Sequence, residues 1–118
     1  MQTLHDWKTV SFSASIMRII LSQPLEDETA TNRIKQIGFM GVMYQMYLMN
    51  MDTTVRSIME VSNLSRAGIF EVAEPLIARG ILAEETVLNT AGRGRATRLF
   101  IPPELFDRIQ EMSPFSQP

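Results

Sequence analysis

The chain contains no cysteine and only one histidine, His5, close to its first residue. Without cysteine there is no disulfide framework, no thiolate nucleophile and no thiolate metal ligand, and a reducing compartment is the default expectation. A single histidine cannot build a typical zinc site, and no Ser, His and Asp grouping can form around it. Catalysis is therefore not expected, and no cofactor is implied. Long apolar runs are also missing: no stretch approaches the roughly 20 residues that a membrane-spanning helix needs. The opening MQTLHDWKTV lacks the basic-then-apolar order of a secretory signal, so a cytoplasmic location without a membrane partner is expected. Nor is there an excess of positive charge. Eleven Lys and Arg stand against 13 Asp and Glu, a net charge of −2, with a pI of about 5.4. Affinity for a polyanion would have to come from a local patch.

What remains is an ordinary globular composition. Of 118 residues, 45% are hydrophobic and 20% charged, enough apolar material for one domain with a real core. The spacing of Phe12, Ile16, Ile19 and Ile20 predicts a short amphipathic helix over residues 12–22, with Ser13 or Ser15 as its cap. Gln23-Pro24 ends it, and the polar LEDETATN connects it to the next helix. A long helix is expected over residues 30–50, with Ile34, Ile37, Val42, Met43, Met46 and Tyr47 near one face. The methionines at 40, 43, 46 and 49 drift round that helix, so it is either packed on both sides or meets a second subunit.

Asp52 or Thr53 is placed to cap a helix over residues 54–62, which Asn63 closes in a left-handed turn. Ser65 caps the next helix, Arg66 to Arg79, stopped by Gly80. Ile69, Val72, Ala73 and Leu76 form its buried face, and Pro75 is expected to kink it or leave its carboxyl half irregular. ILAEETVLNT and TRLFIPP then read as two strands about the glycine-bearing turn AGRGRA. A last short helix, PELFDRIQEM, buries Leu105 and Ile109 and precedes a frayed Ser/Pro tail.

Two short helices across a tight turn, then a hairpin, make a mainly α fold with a small β-hairpin wing, a winged helix-turn-helix. The stretch SRAGIFEVAEPLIARGILAEE resembles the recognition helix and first wing strand of MarR-type regulators, and more loosely those of the ArsR and PadR types. The pattern rests on Ser65, Ile69, Leu76, Gly80, Ile81 and Leu82, and AGRGRATRLFIP is similar to the MarR-type wing. The resemblance spans roughly residues 38–103. It implies a sequence-specific regulator of transcription, expected to act as a repressor, that binds double-stranded DNA as a homodimer.

Residues 1–30 would serve dimerisation, 31–103 DNA binding, and 104–118 would form the terminal helix and tail. Candidate DNA contacts are Arg56 at the first short helix and Ser65, Arg66, Ala67, Gly68 and Phe70 at the second. Arg93, Arg95 and Arg98 join them from a hairpin that carries no acidic residue from Thr86 to Ile101. The resemblance to the MarR-type wing also implies an alternative use for Arg98, pairing with an acidic residue of its own domain. Trp7 is a candidate dimer anchor or a residue docked on its own domain. By analogy with the same regulators, the methionine-rich helix is a candidate border for a small-effector pocket. Glu71 and Glu74 oppose DNA binding, and with the negative net charge they support the alternative of a winged-helix protein-interaction module.

Overall fold

A computed structural model describes the backbone of residues 4–88 and 94–112, and side chains from Lys8 onward. The expectations for Trp7, Arg93 and the Ser/Pro tail fall outside the described residues. Among the described residues, five helices and one antiparallel strand pair follow in the order α1 (Leu4–Ser22), α2 (Ala30–Leu48), α3 (Val55–Ser62), α4 (Arg66–Ala78), β1 (Ala83–Leu88), β2 (Arg95–Phe100) and α5 (Pro103–Met112). α1 starts well before residue 12, so Ser13 and Ser15, expected as its caps, lie inside the helix. Its Phe12, Ile16, Ile19 and Ile20 are buried as expected.

Short local signals set the helix ends. Thr29, Thr54 and Ser65 are extended residues whose side chains accept from backbone N–H groups three residues on, in Asn32, Ser57 and Gly68. The cap of α3 is thus Thr54 rather than Asp52 or Thr53, since Thr53 is engaged elsewhere. Asn50 and Asn63 adopt left-handed conformations after α2 and α3, with φ of 59° and 61°. Gly80, at φ 77°, closes α4: Gly80 N donates to Ile77 O and Ile81 N to Leu76 O, a reversal that packs buried Ile81 against buried Leu76. A Cβ at residue 80 meets nothing within 4 Å, so only the backbone opposes it. Gly80→Ala is expected to lose about 1 kcal/mol in denaturant unfolding.

Pro75 does not break α4. The Pro75 carbonyl accepts from Arg79 N at 3.0 Å, so the helical ladder is regular beyond the proline. The carbonyl it deprives belongs to exposed Glu71, where water can serve it. Ile69, Ala73 and Leu76 are buried as expected, whereas Val72 is half-buried at the edge of a groove.

The core is one cluster running from Phe12 and Ile16 of α1 through Met40, Met43 and Met46 of α2 to Leu105 and Ile109 of α5. The buried face of α2 is the expected one only in part: Met43 and Met46 are inside, but so are Gln36, Phe39, Met40 and Tyr44, while Ile34 and Tyr47 are 60% and 54% exposed. α2 packs on both α1 and α4, so its buried arc is wide and a single stripe misplaces its centre. Tyr47 instead stacks on Phe106 of α5 at 5.0 Å, and Tyr44 stacks on Phe12 of α1 at 4.1 Å.

In the hairpin Ala83 pairs with Phe100 and Leu88 with Arg95. Residues 53–54 lie along the free edge of β2: Leu99 N donates to Thr53 O at 3.0 Å, the Thr53 hydroxyl donates to Leu99 O, and Thr54 bridges Arg98. The start of α3 is thereby tied to the hairpin, which fixes the hairpin beside the amino-terminal ends of α3 and α4.

Candidate nucleic-acid interface

Between α3, the start of α4 and the hairpin lies a concavity of about 520 Å3. Arg56, Arg66, Arg95 and Arg98 all border it, together with Asp52 and Glu60. Four of the nine candidate residues, from α3, α4 and β2, are thus gathered on one concave surface whose lining carries more positive than negative charge. Arg66 and Arg95 are exposed and make no ion pair among the described residues. The Arg66 guanidinium lies 5.4 Å from the centre of the Phe70 ring, which holds it on that flank of α4. Arg56 sits 3.8 Å from Glu60, but with both side chains largely in solvent the pair is a weak tether. Arg98 is held twice, its Nε 3.3 Å from Asp52 and its Nη1 3.2 Å from Glu85, the residue directly across the ladder. It acts first as a strut between the hairpin and the turn before α3.

The remaining candidates divide. Ser65 is the α4 cap, its Oγ accepting from Gly68 N at 3.0 Å. Ala67 is exposed opposite the buried face of α4, sharing that outward face with Glu71, Glu74 and Ala78. Gly68 turns away from the arginines and lines a different groove, between α2 and α4. Phe70 is half-buried and packs against the core.

Sequence reasoning missed a buried polar cluster behind α4. The Arg79 guanidinium reaches Glu28 with Nη1 and Nη2, each at 2.6 Å, Gln36 Oε1 at 2.5 Å, and the carbonyls of Ile20 and Gln23 at 3.2 and 3.0 Å. Gln36 Nε2 donates back to Glu28 at 2.5 Å, and Leu25 N donates to it at 3.1 Å. The side chains of Arg79 and Glu28 are only 3% and 4% exposed. Arg79, at the end of α4, therefore fastens α1, the α1–α2 connection and α2 together. The only local signal was a basic residue before Gly80, and nothing marks Glu28 out from Glu26 and Asp27 in the acidic loop.

Hydrogen bonding from Arg79 holds the Glu28 carboxyl down at about 2, against the opposing effect of burial, with further donation from Gln36 and Leu25 N. A lowered folded-state value means that the stabilisation is complete above the ordinary carboxylate range and disappears as the pH falls from about 4.5 towards 2. Denaturant midpoints should fall across that window in the wild type and fall less in Glu28→Gln.

No known protein family, curated protein or solved structure matches the chain. The likeness to MarR-type regulators thus rests on the motif residues alone. The methionine-rich helix α2 does border a groove, between itself and α4, but not with its methionines. Among the described residues no methionine lines it, and Met40, Met43 and Met46 are buried in the core. Among the described residues no helix is long and apolar enough to cross a membrane, and no group of three or more acidic or histidine side chains is arranged to hold a metal ion.

Proposed function

We propose that the chain is a winged helix-turn-helix regulator of transcription that binds double-stranded DNA as a homodimer. In this reading α2, α3 and α4 are the three helices of the motif, α4 enters the major groove, the hairpin is the wing, and residues 53–54 are its short third strand. The observation that carries the reading is the convergence of Arg56, Arg66, Arg95 and Arg98 on one concave surface in a chain whose net charge is −2. Arg66 and Arg95 serve phosphates or the groove edge, since neither is committed to a carboxylate, while Arg98 shapes the surface.

Dimerisation is supported by α1. Val10, Ala14, Met17 and Leu21 are exposed on the side opposite Phe12, Ile16 and Ile19, spaced alternately by four and three residues as in a helix-pairing seam. Met17→Glu/Leu21→Glu is expected to give a folded monomer by sedimentation where the wild type is a dimer, since neither residue belongs to the core. Unchanged mass would remove α1 as the interface.

The test of the reading is binding of the purified protein to duplex fragments from its own genomic neighbourhood at two salt concentrations. Tight binding that weakens steeply with salt supports a regulator. One observation favours a second reading, a protein-interaction module: the outward face of α4 carries Ala67, Glu71, Glu74 and Ala78, two acids and no base. A folded dimer indifferent to every duplex at low salt would put that reading first.

A further inference from the structure

The groove between α2 and α4 is separate from the arginine surface and has its own chemistry. Its volume of about 830 Å3 lies in the range of small-molecule sites, roughly 300–1,000 Å3. Phe39, Val42, Val72 and Pro75 supply an apolar floor, and the segment 25–28 and the α3–α4 turn bound its two ends. The back wall is Gln36 and Glu28, whose polar atoms are already used by Arg79 and by each other. Four further carboxylates stand at the rim, Glu26, Asp27, Glu71 and Glu74, against one cation, Lys35. None of these five makes an ion pair among the described residues.

An apolar floor under a negative rim selects its occupant by charge: an anion is repelled, and a hydrophilic cation gains nothing from the floor. We propose that this groove is a binding site for an amphipathic organic cation, a compact aromatic or branched apolar body bearing a quaternary or protonated nitrogen. The body displaces water from Phe39, Val42 and Val72, and the positive charge sits among Glu71, Glu74 and Asp27. Because Glu71 and Glu74 also form the outward face of α4, occupancy reduces the negative charge of that face. The site does not depend on the DNA-binding reading, and its test uses the protein alone.

Gly38 provides the control. It lines the groove, and a Cβ built on it meets nothing within 4 Å. Gly38→Leu therefore fills the groove while removing a glycine from a helix interior, so the variant is expected to fold at least as stably as the wild type. The probe is tetraphenylphosphonium, with tetraphenylborate as the anion of nearly the same shape, titrated calorimetrically into the full-length protein. The cation is expected to bind and the borate not. Affinity should fall by about tenfold or more in Gly38→Leu through lost volume. In Glu71→Gln/Glu74→Gln it should fall about fivefold, with a weaker salt dependence. Equal binding of cation and borate would overturn the proposal. So would binding indifferent to both variants, or no binding of the cation at millimolar concentration by a protein that unfolds cooperatively. A basic amphipathic helical peptide that binds where tetraphenylphosphonium does not would overturn it in favour of a protein partner.

Discussion

Arg79→Leu is expected to destabilise the fold by about 3 to 5 kcal/mol, the loss that follows when one partner of a buried ion pair is removed. Glu28 would be left with a side chain 4% exposed and, among the described residues, only Gln36 and Leu25 N as donors, so that burial pushes its carboxyl upward and its charge is no longer compensated. Gln36, fully buried, would lose the donor to its Oε1, and the Ile20 and Gln23 carbonyls would lose theirs. Arg79→Lys should fall between the two, because an ammonium supplies the charge but cannot span five acceptor contacts on three segments. Glu28→Leu/Arg79→Leu should recover part of the loss, since no charge is then stranded. Urea or guanidinium midpoints measure all four proteins, and a loss below about 1 kcal/mol for Arg79→Leu would mean that the cluster is solvated in solution.

Arg66→Ala/Arg95→Ala is expected to weaken duplex binding on the order of a hundredfold at moderate salt, while the unfolding midpoint changes little. Both side chains are exposed and without ion pairs among the described residues, so truncation strands no partner. If each neutralises one phosphate per subunit, a dimer loses four contacts and the slope of log affinity against log salt becomes shallower by about 3.6. Arg98→Ala should behave differently. It leaves Asp52 and Glu85 facing one another without their shared cation, so the hairpin loosens and both stability and binding decline. Fluorescence anisotropy at several salt concentrations separates the cases, and an unchanged slope in the double variant would exclude phosphate contact by Arg66 and Arg95.

Features decided within four or five residues were legible in the sequence. Ser65, Asn63 and Gly80 cap, turn and stop helices through bonds to their own neighbourhood, and Leu105 and Ile109, four residues apart, mark the buried side of a short helix. α2 was not legible in the same way, because two packing partners widen its buried arc and admit Gln36, which lies inside only because Arg79 and Glu28 satisfy its amide. The candidate site was readable as a set of arginines but not as a division of labour. That Arg98 is tied to Asp52 and Glu85 while Arg66 and Arg95 are not depends on hairpin register and on the edge contact of residues 53–54.

The Glu28–Arg79 pair also bears on the order in which the chain is made. Fifty-one residues separate the two groups, so during synthesis α1, the acidic connection and α2 leave the ribosome well before the cation that completes them. Until α4 arrives, Glu28 stays with water, and the ends of α1 and α2 have no reason to close over it. A nascent chain shorter than residue 79 is therefore held open at this corner, and the closing of the helical half is timed by the last turn of the helix that faces outward.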